Sequence, residues 1–227
     1  MGRYKAVIFD LDGTLQDSKI DYKKMIERVR VILIREGINQ SAICNKGGVY
    51  RIIRGGRASL FELGVRDKRV QTVLDLMTDA MNATELEAVD RVEPKPNALQ
   101  TLKILRQNGI LMGIATRSHR VYAERCLAKM GMRKYLQGIL ARDDVSYPKP
   151  DPRHLFETIS LLNVNPKKVL FVGDTTTDFE TARAAEVDFI GYRRDEEWGQ
   201  RLLDAGCTVM AEDLLEVAEM ALKSRKG

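Results

Sequence analysis

The alternation of short apolar runs with helical patterns is the feature that most restricts how this chain folds. Runs typical of buried strands lie at residues 6–9, 110–115, 169–173 and 187–191, with weaker candidates at 138–141 and 207–210. Strands that alternate with helices form a parallel sheet covered by helices on both faces. Ligands of such sheets bind outside the carboxyl ends of the strands. The chain is therefore predicted to have an α/β fold with its site at that edge.

A helical pattern precedes the second strong strand run. Leu99, Leu102 and Leu105 line one face of this predicted helix. Pro96 suits its first turn, and Gly109 suits its end.

The stretch from residue 16 to residue 93 interrupts the alternation. Apolar residues at helical spacing indicate one helix with Tyr22, Met25, Ile26, Val29, Ile32 and Leu33, ending near Gly37, and another with Val70, Val73, Leu74, Met77 and Met81. No strand pattern stands between them. We predict a core of residues 1–15 and 94–227 and a helical insertion of residues 16–93.

Charge and composition exclude several classes of function. The net charge is +5, but aromatic residues make up only 6% of the chain and do not interleave with basic ones. This distribution disfavours nucleic-acid binding. No apolar run approaches the roughly 20 residues of a membrane helix, and four apolar residues before Asp10 are too few for a signal peptide. We expect a cytoplasmic protein without membrane or nucleic-acid partners.

Cysteines and histidines are too few and too scattered for a thiolate or imidazole metal site. Cys44, Cys126 and Cys207 are odd in number and form no CxxC pair, which disfavours a disulfide framework and zinc. Cys126 is expected to be a core residue of a helix. His119 and His154 are the only histidines, which disfavours a histidine-based metal site.

The sequence Asp10-Leu11-Asp12-Gly13-Thr14 directly follows the first strand run. Residues two apart on extended backbone project from the same side, so Asp10 and Asp12 can share one site. Two neighbouring carboxylates are tolerated when a cation accompanies them, and oxygen ligands alone favour Mg²⁺. Gly13 permits a sharp turn whose amides can hold phosphate oxygens. A strand that ends in a polar turn is the alternative interpretation.

Two further groups of polar residues follow strand runs. Asp174 can supply another metal oxygen, and Asp178, one helical turn later, can return to the same place. Alternatively, this segment is a helix N-cap followed by an acid in the first turn. The hydroxyl of Thr116 can donate to a phosphate oxygen, but a threonine there also suits a helix N-cap.

Lys149 lies between prolines in a loop that leads into a predicted helix. Asp151 and Pro152 suit the cap and the first residue of that helix. Because prolines restrict the backbone on both sides, Lys149 is suited to neutralise charge on a phosphoryl group. Most lysines are simply solvated, so this interpretation depends on the other groups.

The order Asp-x-Asp, Thr, Lys and Asp-x-x-x-Asp resembles the four motifs of the haloacid dehalogenase superfamily. They correspond to residues 10–14, Thr116, Lys149 and residues 173–178. The likeness covers nearly the whole chain and is greatest for the phosphoglycolate phosphatase-like branch. It implies an α/β fold with a Rossmann-like three-layer core and parallel sheet, in which the helical insertion is an inserted α-helical cap domain.

The resemblance implies the roles of the catalytic residues. Asp10 would be the nucleophile and form an aspartyl-phosphate, which divides one difficult hydrolysis into two easier steps. Asp12 would protonate the leaving oxygen and then deprotonate the attacking water. Thr116 and Lys149 would stabilise the phosphoryl oxygens, and Lys149 would also restrain Asp10. The expected reaction is hydrolysis of a small phosphorylated metabolite.

The resemblance also implies a Mg²⁺ cofactor. Asp10, the main-chain carbonyl of Asp12 and Asp174 would bind the ion, with Asp178 as a ligand or a water-bridged support. The dehalogenase and phosphonate-cleaving branches lack an acid at the position of Asp12, so both are disfavoured.

Two positions depart from the pattern of the superfamily, and a third region bears on the substrate. Gln16 stands where an apolar residue is usual, and Arg117 stands where an asparagine often follows the threonine. Arg117 either reaches the substrate or is a solvated side chain at a helix start. Arg51 and Arg54 share a face if their segment is helical. One of them would bind a second anionic group, or both belong to a solvated basic surface.

Two other functions stay open at this point. A sugar-phosphate mutase of the β-phosphoglucomutase type needs a cap group that keeps water from the aspartyl-phosphate, and none is identified. A non-catalytic phosphate- or metal-binding regulatory protein is expected to lack Asp10, Asp12 or Lys149, and all three are present. We expect a monomer or a homodimer.

Overall fold

The computed structural model describes residues 3–43 and 48–223, so Cys44 lies outside the described part. The chain divides into two compact units. The first is formed by Met1–Ser18 with Arg91–Gly227, and the second by Lys19–Asp90.

The first unit contains a large parallel sheet. The strands of the described residues are, in chain order, β1 (Ala6–Phe9), β2 (Gln16–Asp17), β3 (Glu93–Pro94), β4 (Leu111–Ala115), β5 (Gly138–Leu140), β6 (Val169–Gly173), β7 (Asp188–Tyr192) and β8 (Met210–Ala211). The large sheet has the order β5-β4-β1-β6-β7-β8, and each neighbouring pair is parallel. β2 and β3 form a separate antiparallel ribbon. The predicted α/β fold is confirmed, with β1 near the centre of the sheet.

Alternate residues of β1 serve the two faces of the sheet. Val7 and Phe9 belong to the apolar core on one face, and Ala6 and Ile8 to the core on the other. All four are completely buried. A strand buried on both faces is a continuous apolar run, which makes residues 6–9 recognisable in the sequence.

Helices cover both faces and complete the three layers. The α-helices of the described residues are α1 (Tyr22–Arg35), α2 (Val49–Glu62), α3 (Asp67–Leu86), α4 (Ala98–Gln107), α5 (Arg120–Lys129), α6 (Pro152–Leu162), α7 (Thr176–Ala184), α8 (Glu196–Asp204) and α9 (Leu214–Leu222). Side chains of α4, α5 and α9 fill the core on the Val7 face, and those of α6 and α7 fill the other core. Cys126 of α5 is buried, as predicted.

The predicted start of α6 and the predicted end of α4 are confirmed. Asp151 caps α6, which Pro152 opens, and Gly109 has a φ of +73° just beyond the end of α4. The prediction that Pro96 lies in the first turn of α4 is wrong. Asn97 has a φ of +59° in the left-handed region and interrupts the helical path, so α4 begins at Ala98.

Both weaker strand candidates form strands, but the later one is shorter than predicted. β8 lies at the edge of the sheet and pairs only through Met210 and Ala211 with β7. Residues 207–209 therefore precede the strand instead of belonging to it.

The second unit is formed by α1, α2 and α3. The two amphipathic helices predicted from the sequence are α1, which buries Met25, Val29 and Leu33, and α3, which buries Val70, Val73, Met77 and Met81. α2 runs through Gly55 and Gly56, which obscure its helical pattern in the sequence. Throughout the described ranges, no helix is both long enough and apolar enough to cross a membrane.

Candidate active site

The chain segments that follow β1, β4 and β6 leave the sheet at neighbouring positions. Asp10, Thr116 and Asp174 are the first residues after these strands, and β1 pairs in parallel with both of the others. Lys149 comes from the loop between β5 and α6, and Asp178 from the first turn of α7. All five side chains are buried. These five predicted residues therefore lie at the carboxyl edge of the sheet.

Three of the predicted acids form a compact cluster. Carboxylate oxygens of Asp10, Asp174 and Asp178 lie within 4.8 Å of one another. Burial raises the pKa of Asp10 well above its usual value, Lys149 offsets part of this rise, and Asp178 and Asp174 add to it. Burial and then the charge of Asp178 raise the pKa of Asp174 to about 7. A cation would relieve the repulsion between these carboxylates, and a donor set made only of oxygen atoms fits a hard ion such as Mg²⁺.

Lys149 supplies a positive charge inside this acid cluster. Its Nζ donates to Oδ1 of Asp10 at 2.7 Å and to Oδ1 of Asp178 at 2.6 Å. Burial alone lowers the pKa of the ammonium, but the charges of Asp10 and then Asp178 outweigh this effect and raise its pKa. Lys149 therefore stays cationic and partly balances the three carboxylates.

His154 holds the backbone of Lys149. The N–H of Lys149 donates to Nδ1 of His154 at 3.2 Å, and Nε2 of the ring lies 3.1 Å from the carbonyl oxygen of Leu140. A ring that accepts at Nδ1 and donates at Nε2 is neutral. Burial and the charge of Lys149 lower the pKa of His154 to about 4, which agrees with this neutral form. No signal in the sequence marks the contact.

Asp174 has a hydrogen-bond donor on each of its oxygens. Thr14 donates to Oδ1 at 2.9 Å, and Arg194 donates to Oδ2 at 2.9 Å. A Cβ atom at Gly13, whose φ is +94°, would overlap this carboxylate, so only glycine fits there. Arg194 is absent from the predicted site, although it follows β7 at the same edge of the sheet. Its position after a strand is the signal that could have indicated it.

Asp178 takes part in a helix cap and also lies in the acid cluster. Its Oδ2 accepts hydrogen bonds from Oγ1 of Thr175 at 2.5 Å and from the N–H of Thr175 at 3.1 Å, which closes a capping box at the start of α7. Its Oδ1 faces Lys149 in the acid cluster. Capping and membership of the cluster therefore coexist in one side chain.

Asp12 lies within a frame of three donors. Nε2 of Gln16 and the hydroxyl of Tyr122 donate to Oδ1 at 2.7 and 3.0 Å, and Oγ of Ser118 donates to Oδ2 at 2.5 Å. Burial raises the pKa of Asp12, and hydrogen bonds from Ser118, Gln16 and Tyr122 oppose part of that rise. Neither Ser118 nor Tyr122 was predicted. Tyr122 has the pattern of a core residue. The metal contact predicted for the main chain of Asp12 stays a prediction.

Thr116 is not the N-cap that the alternative interpretation proposed. α5 begins only at Arg120, after His119 as its cap residue. Oγ1 of Thr116 instead accepts a hydrogen bond from the N–H of Ser118 at 3.1 Å. Arg117 donates from Nη1 to Oγ1 of Thr177 at 3.2 Å, at the start of α7. Its contact with a substrate stays a prediction.

The two arginines predicted to bind substrate lie in the second unit. Arg51 and Arg54 both belong to α2, as the hypothesis of a shared helical face requires, and both have exposed side chains. Their role in substrate binding stays a prediction.

Comparison with known proteins identifies relatives over most of the chain. A phosphoglycolate phosphatase of Pseudomonas fluorescens is 28% identical over 214 residues, covering 92% of this chain and 77% of that protein. The N-acetylmuramic acid 6-phosphate phosphatase of Pseudomonas aeruginosa is 25% identical over 185 residues, covering 81% of this chain and 79% of that protein.

Solved structures share the fold, and a family model matches most of the chain. The crystal structure of a hydrolase from Pseudomonas syringae superposes with a TM-score of 0.67 at 24% identity, covering 95% of this chain and 96% of that one. The family model of the haloacid dehalogenase-like hydrolases matches residues 7–192, which include the whole acid cluster, Asp12 and Lys149. With the four motifs converging at the carboxyl edge of the sheet, this chain belongs to the haloacid dehalogenase-like hydrolase family.

Proposed function

We propose that this chain is a Mg²⁺-dependent phosphatase that hydrolyses a small phosphorylated metabolite through an aspartyl-phosphate on Asp10. Membership of the hydrolase family and similarity to phosphoglycolate phosphatases indicate a phosphatase. The observation that carries the finer proposal is the pairing of Asp10 with Lys149 inside a buried cluster of three carboxylates. Such an arrangement offers a nucleophile, a counter-charge and oxygen ligands in one place.

Asp10 is the proposed nucleophile. One of its carboxylate oxygens bonds to phosphorus while the bond from phosphorus to the leaving oxygen breaks, and that bond's electron pair stays on the leaving oxygen. The products of this step are an aspartyl-phosphate and the free alcohol. Lys149, 2.7 Å from Oδ1, restrains the carboxylate in one orientation. Covalent catalysis of this kind divides hydrolysis into two easier steps.

Asp12 is the proposed general acid and base. It gives a proton to the leaving oxygen in the first step, and it then takes a proton from the water that attacks the aspartyl-phosphate. The second step releases phosphate and restores the Asp10 carboxylate. Burial that raises the pKa of Asp12 supports this role, because a higher pKa keeps the side chain protonated closer to neutral pH.

The acid cluster is the proposed magnesium site. Asp10, the main-chain carbonyl of Asp12 and Asp174 would hold the ion, with Asp178 in contact directly or through water. Three buried acids that offer carboxylate oxygens, together with the raised pKa values of Asp10 and Asp174, support this assignment. When bound, Mg²⁺ neutralises charge on the phosphoryl oxygens.

Thr116 and Lys149 are the proposed donors to the phosphoryl oxygens. Lys149 keeps its positive charge despite burial, which supports its use against a developing negative charge. A positioned donor of this kind typically contributes about 3–4 kcal/mol to lowering a barrier.

The helical second unit is the proposed cap, and its arginines are proposed to select the substrate. Arg51 or Arg54 would bind a second anionic group such as a carboxylate or another phosphate. The relatives are named for phosphoglycolate and N-acetylmuramic acid 6-phosphate, both of which are acids as well as phosphate esters. These two compounds are therefore the first substrates to test.

A substrate screen tests the proposal. Purified protein with Mg²⁺ is incubated with a panel of phosphorylated metabolites that includes these two acids, and released phosphate is measured. We expect release that EDTA abolishes and that the Asp10→Asn variant lacks. Asp204→Asn makes the same chemical change at an exposed position of α8 and should behave as the wild type. Phosphate release by Asp10→Asn at the wild-type rate would show that Asp10 is not the nucleophile.

A further inference from the structure

Gln16, Tyr122 and Ser118 surround the carboxylate of Asp12, and we call these three residues the Asp12 frame. We infer that the Asp12 frame is a positioning device that fixes Oδ1 of Asp12 and leaves Oδ2 as the oxygen that carries the transferred proton. This inference rests on the proposed role of Asp12 as general acid and base.

The Oδ1 side of the frame is a closed triangle of hydrogen bonds. Nε2 of Gln16 donates one proton to Oδ1 at 2.7 Å and the other to the Tyr122 hydroxyl at 2.9 Å. That hydroxyl then donates its own proton to Oδ1 at 3.0 Å, a shorter contact than its 3.4 Å approach to the carbonyl oxygen of Ser18. Oδ1 therefore accepts two hydrogen bonds, and the amide nitrogen that gives the shorter one cannot become an acceptor.

The Oδ2 side has a partner that can reverse its role. Oγ of Ser118 lies 2.5 Å from Oδ2. A serine hydroxyl rotates, so it donates to an ionised carboxylate and accepts from a protonated one. A proton on Oδ1 would displace a donor, whereas a proton on Oδ2 requires only that the Ser118 hydroxyl turn. The frame therefore directs the proton to Oδ2.

Burial of the Gln16 amide argues against a purely structural role. Gln16 and Tyr122 are completely buried. Within residues 3–43 and 48–223, nothing donates to Oε1 of Gln16, although that oxygen is buried. An unsatisfied buried carbonyl costs stability, and an apolar side chain would fill the same space without that cost. The feature that distinguishes the amide from such a side chain is its pair of donors, which reach Asp12 and Tyr122 beside the thiol of Cys126.

The frame acts in both steps of the proposed reaction. In the first, the proton on Oδ2 moves to the leaving oxygen as the bond to phosphorus breaks, and Oδ2 keeps the electron pair of its former O–H bond. Ser118 then turns to donate to Oδ2. In the second step Oδ2 accepts a proton from the attacking water, whose oxygen bonds to phosphorus, and Ser118 turns back.

The dependence of rate on the leaving group tests the Asp12 frame. Phenyl phosphate and p-nitrophenyl phosphate have similar shapes, but phenolate needs a proton more than p-nitrophenolate does. We expect Gln16→Met to lower kcat/KM for phenyl phosphate by about tenfold or more, which is a fraction of what a general acid contributes. For p-nitrophenyl phosphate, we expect the same variant to lower kcat/KM by no more than about twofold. kcat/KM covers events up to aspartyl-phosphate formation, so later hydrolysis does not enter the comparison.

Three further variants make the result decisive. Asp12→Asn should show the same preference for p-nitrophenyl phosphate, but more strongly. Tyr122→Phe should follow Gln16→Met, and it carries the test if Gln16→Met does not fold. Gln200→Met, at an exposed position of α8, should match the wild type on both esters.

The outcomes separate this inference from the proposed function. If the wild type releases phosphate from neither ester and from no member of the metabolite panel, the proposed function fails and the inference fails with it. If Asp12→Asn discriminates between the esters but Gln16→Met and Tyr122→Phe lose activity equally on both or not at all, the frame has no positioning role while the phosphatase assignment stands.

Discussion

The ammonium of Lys149 is stable in its buried place because its neighbours provide hydrogen-bond acceptors. Oδ1 of Asp10 and Oδ1 of Asp178 accept hydrogen bonds from its Nζ. Its backbone N–H needs an acceptor, which the neutral ring of His154 provides at Nδ1. A protonated ring would lose this acceptor and would add a second positive charge beside Lys149. The neutral form of His154 therefore belongs to the native state.

We predict that His154 destabilises the fold as the pH falls from about 6.5 to about 4. The pKa of His154 is lowered from 6.5 to about 4, so the unfolded chain binds more protons than the folded one in this window. The neutral ring contributes fully to the free energy of unfolding above pH 6.5. This contribution declines as the pH falls, by on the order of 3 kcal/mol in total.

Denaturant unfolding of the wild type and His154→Gln between pH 4 and 8 measures this effect. The variant should be less stable at pH 8, and the gap should narrow toward pH 4. Buried acids titrate in both proteins, so the difference isolates His154. A gap that does not change with pH would contradict the prediction.

Membership of the site was predictable for single residues whose position relative to strands or prolines indicates it. Asp10 and Asp174 directly follow buried strands, and Lys149 stands between prolines, so their convergence could be inferred. Tyr122 could not be found in this way, because it contacts Asp12 across 110 residues of chain and has the pattern of a core residue. The contact of His154 depends on the path of the loop before α6, which the sequence pattern does not encode.

At the scale of elements, the start of α6 connects the Lys149 loop to the core. Asp151 accepts a hydrogen bond from the N–H of Arg153 at 3.0 Å, and α6 then buries Leu155 and Ile159 against the sheet. The same first turn carries His154. As the N-cap of α6, Asp151 therefore supports the loop that holds Lys149, the site's only described lysine.

We predict that Asp151→Ala destabilises the protein by about 1 kcal/mol, because one N–H of the first turn of α6 loses its acceptor. Asp151→Asn keeps a capping oxygen and should stay close to the wild type. Urea unfolding midpoints at pH 7 measure both. Equal losses in the two variants would assign the effect to the ion pair between Asp151 and Arg153 instead of the cap.

Elements were predictable to the extent that they are buried on both faces. β1 and β6 lie in the middle of the sheet, and their apolar runs coincide with the strands. β8 pairs on one side only, so its length depends on β7 and not on its own sequence. The ribbon of β2 and β3 has two residues in each strand, which is too short for any periodic pattern.

At the scale of the whole molecule, the acid cluster is a product of topology. β1 lies between β4 and β6 in a parallel sheet, so Asp10 and Asp174 leave it at adjacent positions although they are far apart in sequence. That adjacency follows from the predicted fold class. The approach of the carboxylate oxygens to within 4.8 Å does not, because it depends on how Lys149, Thr14 and Arg194 orient the carboxylates. Repulsion among these carboxylates would be relieved by the proposed cation.

We predict that Mg²⁺ stabilises the folded protein more at pH 8 than at pH 5. The pKa of Asp174 is raised from 3.8 to about 7, so without metal the folded state binds more protons than the unfolded one between these values. The protonated Asp174 contributes fully to the free energy of unfolding below pH 3.8. This contribution is lost as the pH rises through 7, which lowers the free energy of unfolding by up to about 4 kcal/mol. Mg²⁺ bound to the ionised cluster would offset this loss at pH 8, whereas protons would compete with it at pH 5.

Thermal unfolding with and without Mg²⁺ at the two pH values tests the cluster as the ion's site. Tm should rise by several degrees with Mg²⁺ at pH 8 and little at pH 5, given that about 1 kcal/mol shifts Tm by 2–4 °C in a chain of this size. Asp174→Asn removes one of the repelling charges, so it should raise the Tm of the metal-free protein at pH 8 and remove most of the response to Mg²⁺. Asp204→Asn should leave both unchanged. Because surface sites for Mg²⁺ would persist in Asp174→Asn, a full response in that variant would place the ion elsewhere on the molecule.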